Sequence, residues 1–205
     1  MPLFFSNTIH MSAQQYDTIV VGAGLVGLSV AYHLKQNNPD SKVLLVEKED
    51  TVAKHQSGHN SGVIHSGIYY KPGSLKAKNC ITGYHSIIEF AQEHGIPYDI
   101  CGKIIVATSD AERPKLNDIY ERGIQNGLTD LKRLHSLDEI REYEPHVAGV
   151  EAIHVPQTGI IDYPAMAAAL LRLFQQYGGD AAFGEQVVKI RSEKDNVYVE
   201  TTKNT

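Results

Sequence analysis

The sequence predicts an α/β fold that opens with a dinucleotide-binding βαβ unit, and three observations predict it. A β-branched run at residues 17–21 leads directly into Gly22-Ala23-Gly24-Leu25-Val26-Gly27; a helical apolar period follows over residues 28–35; a second apolar run at 42–46 ends in Glu47. Strand, glycine turn, helix, strand and acid in this order share one physical rationale. Gly22 permits the tight turn, Gly24 admits a diphosphate against bare backbone, and Gly27 lets the helix lie close on the sheet. Ala23, Leu25 and Val26 stand with them at the helix N-terminus, where free amides and the helix dipole favour phosphate charge. Glu47, followed by Lys48, can accept hydrogen bonds from the adenosine ribose hydroxyls and would repel a 2′-phosphate. The unit alone does not separate a flavin from a nicotinamide dinucleotide.

Composition bounds the rest. The 205 residues are 42% hydrophobic and 21% charged, with net charge −5. That is enough apolar material to offset the entropy of ordering, which excludes disorder as the main state. The charge balance gives no electrostatic footprint for nucleic acid. No apolar run reaches the roughly 18 residues that a membrane-spanning helix needs. The two cysteines, Cys80 and Cys101, are too few for a disulfide scaffold and read as small thiols in a reducing compartment. Residues 1–15 carry no signal-peptide core and no arginine, and read as a disordered lead-in to a fold that starts near Tyr16.

Beyond Glu47 the elements follow in order. Residues 55–73 are dense in Gly, Ser, Asn and His with no sustained apolar period. Next to a dinucleotide-binding strand, such a stretch is expected to wrap closely around a ligand. Ser57, Asn60 and Ser61 would donate to its polar atoms, while Gly58 and Gly62 allow close approach. His65, Tyr69, Tyr70 and Lys71 are then candidates for the reacting side. Three histidines invite a metal site, but the Gly-Ser-Asn chemistry between them and the lack of a nearby carboxylate or cysteine partner argue for none. A helix is expected over residues 74–93, stopped by Gly95. A strand follows at 103–108, then polar helices at 113–126 and 137–143. A helix at 164–177 starts on Pro164 and ends at Gly178-Gly179. Two short strands, at 186–191 and 197–202, close the chain.

Glu47-Lys48 followed by HQSGHNSGVIHSGIYYKPGSLKAK resembles the L-2-hydroxyglutarate dehydrogenase/oxidase family. This family lies within the D-amino-acid-oxidase-like group of FAD enzymes. Further pieces are similar: Cys101-Gly102-Lys103-Ile104-Ile105-Val106-Ala107, the Tyr143-Glu144-Pro145 turn, and Thr158-Gly159-Ile160-Ile161-Asp162-Tyr163. The resemblance implies FAD as cofactor. It implies a Rossmann-like FAD-binding domain interrupted by the start of an α+β substrate domain. Residues 16–95 and 158–205 would be the two cofactor parts, with 96–157 the substrate segment and Val187 offering main chain to the adenine. Members of the family are about twice as long, so the chain reads as an N-terminal portion.

The implied chemistry is oxidation of L-2-hydroxyglutarate to 2-oxoglutarate by hydride transfer to flavin N5. His65 would be the base for the hydroxyl proton; a hydrogen bond to FAD, or covalent attachment to it, is the alternative role. Lys71, with Tyr69 or Tyr70, would meet a carboxylate of the dicarboxylate substrate. The electrons would pass to a quinone or to oxygen. The cytoplasm is the expected compartment, with peripheral association at the inner face of a membrane as its variant in the full-length protein. Oxidation of another small hydroxy or amino acid, or a non-catalytic nucleotide-binding module, are the competing readings.

Overall fold

In chain order the structure, a computed structural model that describes residues 14–203, begins with β1 (Thr18–Val21), α1 (Leu25–Asn37), β2 (Val43–Val46), β3 (Val63–Ile64) and α2 (Leu75–His94). It continues with β4 (Tyr98–Asp99), β5 (Lys103–Ala107), α3 (Arg113–Gln125), β6 (Lys132–Leu134) and α4 (Leu137–Arg141). Then come β7 (Glu151–Val155), β8 (Gly159–Ile161), α5 (Tyr163–Gln176), β9 (Asp180–Ala182), β10 (Val187–Glu193) and β11 (Asn196–Thr201). The lead-in expected over residues 1–15 lies, but for its last two residues, outside the described chain. Among the described residues no helix is long and apolar enough to cross a membrane.

The chain forms two compact units, one of residues up to 59 and from 167 onward, the other of residues 60–166. The inner unit therefore starts and ends outside the expected 96–157 segment. The reason is pairing: β3 joins β8 antiparallel, Val63 opposite Ile160, and β4 joins the other edge of β8. Residues 60–64 and 159–161 thus belong to one small sheet rather than to the cofactor unit.

In the first unit, β-branched Thr18, Ile19, Val20 and Val21 suit a strand and pair parallel with β2, from Thr18 opposite Val43 to Val21 opposite Val46. β9 adds a third parallel strand on the far side of β2. Its three residues, Asp180-Ala181-Ala182, hold no β-branched or aromatic side chain, so their sequence does not announce a strand; pairing with β2 makes them one. α1 buries Leu28, Ala31, Tyr32 and Lys35, spaced three and four apart along one face. The Lys35 ammonium reaches past the helix end to the carbonyls of Pro39 (2.5 Å) and Ser41 (2.8 Å), tying the turn that Asn38 and Pro39 impose. α5 contributes Ala167, Ala169, Leu170, Leu173 and Phe174 to this core. Burial of Phe174, which is fully enclosed, is worth roughly 1.5–3 kcal/mol. A Cβ on Gly179 would lie 2.0 Å from its ring, so no side chain fits there. β10 and β11 form a separate antiparallel hairpin.

In the second unit, β5, β7 and β6 make an antiparallel sheet with β7 central. Ile68, Ala107, Leu116, Leu131, Ile153 and Val155 pack as its larger core. Glu151, largely buried, is held by Arg113 (2.5 Å) and Arg133 (3.5 Å). α2 starts on Ser74, whose hydroxyl accepts from the Ala77 amide at 3.2 Å, and stops at Gly95 in the left-handed region, φ +67°.

Candidate functional site

The glycine turn opens onto a cavity of about 430 Å³ in the first unit. Gly22, Gly24, Glu47, Lys48, Ser57 and Val187 line it, together with Val21, Val46, residues 53–56, Glu185 and Gln186. Gly22 adopts φ +99°, a conformation that L side chains rarely take, and its N–H donates to Val46 O at 2.8 Å, binding the turn to the end of β2. A Cβ on Gly27 would come within 2.0 Å of Gly22 O, so only glycine lets α1 cross this close. At Gly24 a Cβ would stand 3.2 Å from Ser57 Oγ. The Ser57 hydroxyl accepts from the Leu25 amide at 3.0 Å and so occupies one of the free donors at the start of α1.

Glu47 is only 8% exposed. Its carboxylate accepts from the Ala23 amide at 2.6 Å and from the Glu49 amide at 3.0 Å, which fastens the second strand to the turn. A carboxylate has about four lone-pair sites, so two such bonds leave capacity for ribose hydroxyls. Ala23 is fully buried, and its carbonyl accepts from Ala53 N at 3.1 Å. Ala53 takes φ +58°, and a Cβ on Gly58 would lie 2.2 Å from Ala53 O. Residues 53–58 are thereby laid against the turn. Val26 is 80% exposed and is not among the residues that line the cavity. The Lys48 ammonium pairs with Glu49 at 3.7 Å, and the hydrogen bond from His55, 2.8 Å away, holds the Glu49 carboxyl below the usual carboxylate range.

Sequence reasoning named the turn, Glu47, Lys48, Ser57 and Val187. It placed His55 and Gln56 in the stretch expected to wrap a ligand, and missed Ala53, Lys54, Glu185 and Gln186, for which adjacency in sequence to that stretch and to Val187 was the only signal.

The remaining candidates stand in the second unit. Asn60 Oδ1 accepts from the Gly62 amide at 2.7 Å in a local turn, and Gly62 (φ +67°) accepts from Ile161 N at 2.8 Å. Ser61 is exposed. Beyond β3 the chain carries His65 to the surface while Ser66, Gly67 and Ile68 are buried. Asn126 holds this segment by donating to Gly67 O (3.1 Å) and Tyr70 O (3.0 Å), and Arg122 donates to Tyr69 O at 3.3 Å. Cys80 Sγ donates to His65 O at 3.3 Å.

Lys103, at the head of β5, places its ammonium 4.5 Å from the centre of the Tyr69 ring and 3.4 Å from the Tyr69 hydroxyl. Lys71, the lysine expected here, is exposed, and its carbonyl caps Ser74. Tyr70 is exposed as well. In the sequence Cys80 reads as a plain thiol, and Lys103 and Tyr163, whose hydroxyl donates to Val63 O at 3.2 Å, stand only within the family-like segments; none is named there as a site residue. A lysine opening an apolar strand gives no signal of its own. Among the described residues no three His, Cys, Asp or Glu side chains gather as metal ligands would.

Partial burial, and then the Lys103 charge, push the His65 imidazole below the ordinary histidine value; burial lowers the Lys103 ammonium and raises the Cys80 thiol and the Tyr69 phenol. Both causes at His65 disfavour the imidazolium, so the ring stays neutral to lower pH than a free histidine. An NMR titration of the His65 ring, assigned with His65→Asn, is expected to give a midpoint below 6.5. In Lys103→Met the midpoint should rise. A wild-type midpoint at or above the free value would contradict the partial burial of the ring, and an unchanged midpoint in Lys103→Met would contradict the action of Lys103 on it.

A glycine turn at the start of a helix, a buried acid at the end of the second parallel strand and a cavity between them define a dinucleotide-binding α/β protein. The sequence model of "FAD dependent oxidoreductase" matches residues 17–205. The chain belongs to the FAD-dependent oxidoreductase family. It is 50% identical to an L-2-hydroxyglutarate dehydrogenase of Indibacter alkaliphilus over 92% of its length and 47% of that protein. It is 44% identical to the mitochondrial L-2-hydroxyglutarate dehydrogenase of Homo sapiens, over 90% of the chain and 40% of the relative. Among solved structures, the FAD-bound, dithionite-reduced L-alpha-glycerophosphate oxidase of Mycoplasma pneumoniae superposes with a TM-score of 0.84 at 31% identity, covering 94% of this chain and 51% of that one. Glycine oxidase of Bacillus cereus gives 0.77 at 25%, covering 93% and 52%. The chain spans about half the length of the curated relatives it matches.

The first unit fits FAD. Gly22, with nothing within 4 Å of an added Cβ, and Gly24 leave bare backbone on the cavity wall, and the Glu47 carboxylate beside them keeps acceptor capacity for a ribose.

Proposed function

We propose that the chain serves FAD-dependent oxidation of L-2-hydroxyglutarate to 2-oxoglutarate. The observation that carries this reading is the 50% identity, over nine-tenths of the chain, to a protein of that name, with the glycine turn and acid in place. Glu47 would hold the ribose, the turn at residues 22–27 the diphosphate, and the main chain at Val187 the adenine. FAD, when bound, supplies the acceptor for the two electrons that leave the substrate's α carbon.

The chain's own residues supply position and proton handling. His65, neutral at neutral pH, can take the hydroxyl proton on an imidazole nitrogen as the α carbon is oxidised. The Asn126 and Arg122 contacts fix the backbone around Tyr69 and Tyr70, so the residues beside His65 are placed before substrate arrives. An acceptor, quinone or oxygen, would complete the turnover.

The test is spectroscopic. FAD-loaded protein mixed without oxygen with L-2-hydroxyglutarate should lose its flavin absorbance at about 450 nm, a band set by the cofactor. Glycine and glycerol 3-phosphate should leave it intact. Bleaching by either of these, with none by L-2-hydroxyglutarate, would overturn the substrate.

A further inference from the structure

We infer that Lys103, rather than Lys71, is the cation that seats a carboxylate of the substrate, with the Tyr69 hydroxyl as its companion donor. The inference rests on the reading of the second unit as the side that meets a 2-hydroxy acid, and names the residue that recognises it.

Lys103 is half-buried at the start of β5. Among the described residues no carboxylate stands within ion-pair distance of its ammonium, whereas Lys48 and Lys54 are paired with Glu49 and Asp50. Its neighbours are the face and hydroxyl of Tyr69. Its charge also reaches His65 and Cys80, and burial keeps the Cys80 thiol protonated. A cation partly removed from water among neutral groups is under-compensated, and an anion is what compensates it.

The donors fit a carboxylate. One ammonium balances one negative charge, and the Tyr69 hydroxyl, 3.4 Å from Lys103 Nζ, can donate to the second oxygen. A phosphate dianion would call for more donors than these. The Lys103 charge acts on His65, the group assigned to the hydroxyl proton. Lys71 offers only an exposed chain with full rotamer freedom and hydration.

Calorimetry on FAD-saturated protein tests this, with 2-oxoglutarate, glutarate, L-lactate and glycine as probes and no turnover to interfere. Lys103→Met is expected to weaken 2-oxoglutarate binding about 30-fold or more, and Lys103→Arg to stay within about 5-fold of wild type. Lys71→Met should change it by less than about 2-fold, and FAD affinity should be unaltered in all three. If Lys103→Met binds 2-oxoglutarate as tightly as wild type, the role of Lys103 is overturned while the substrate reading stands. A loss in Lys103→Arg as large as that in Lys103→Met would overturn the role equally. If wild type prefers L-lactate or glycine and that binding depends on Lys103, the carboxylate seat stands and the L-2-hydroxyglutarate reading fails. Wild-type protein that holds FAD yet binds none of the four acids would overturn the inference.

Discussion

Gly27→Val is expected to prevent native packing of the first unit, lowering its stability by about 3 kcal/mol or more and abolishing FAD binding with it. The added Cβ would sit 2.0 Å from Gly22 O, 3.2 Å from Gly22 C and 3.6 Å from Val20 Cγ1. The first two are backbone atoms of the turn itself, and Gly22 N is tied to Val46 O, so the obstruction has no flexible end to swing aside. Relief requires α1 to lift from β1, which uncovers Leu28 and Ala31, both fully buried. Urea unfolding followed by circular dichroism measures the loss. Gly83→Ala is the control: it lies inside α2 with nothing within 4 Å of a new Cβ. It should be neutral or stabilising by up to about 1 kcal/mol. A Gly27→Val protein as stable as wild type would contradict the close crossing.

Glu47→Ala is expected to act twice. In the protein alone it removes the acceptor of the Ala23 and Glu49 amides, and Ala23 is fully enclosed. Hydrogen bonds to a charged group contribute about 1.5–3 kcal/mol each, and a buried amide left unpaired adds to the loss, so stability should fall by about 2 kcal/mol or more. Toward FAD the variant also loses the ribose acceptor, and the dissociation constant should rise about 100-fold or more. Glu47→Gln separates the two effects. Its carbonyl oxygen can still accept from Ala23, so part of the stability should return, while its amide nitrogen can accept neither from the Glu49 amide nor from a ribose hydroxyl. Equal FAD affinity in Glu47→Ala and wild type would remove Glu47 from the cofactor site.

Much of the first unit was legible because local signals and tertiary structure agree there. The β-branched run at β1, the spacing of Leu28, Ala31, Tyr32 and Lys35, and Gly22 and Gly27 each demand the geometry found. Long helices were legible for the same reason: Ser74 and Gly95 bound α2 as capping chemistry requires. The short strands were not. β3, β4, β8 and β9 hold two or three residues each, and partners distant in sequence make them strands. The candidate site divides along the same line. Glu47 could be read from its spacing to the turn, and Ser57 from the small-residue stretch that follows the second strand. Lys103 could not, since its meeting with Tyr69 joins β5 to a loop 34 residues earlier. Lys71 adjoins the tyrosines in sequence, yet side chains of adjacent loop residues need not share a site.

The most direct measurement is an equilibrium titration of the protein with FAD, followed by flavin fluorescence, comparing wild type with Gly24→Val. Gly24 has ordinary extended backbone (φ −78°, ψ 171°), and a Cβ there would touch only Ser57 Oγ at 3.2 Å, so the variant should fold. The expected result is saturable one-to-one binding by wild type and at least about 100-fold weaker binding by a Gly24→Val protein that remains folded by circular dichroism. Equal affinity in the two proteins would contradict the assignment of the glycine turn to the diphosphate, as would a wild type that folds but takes up no FAD.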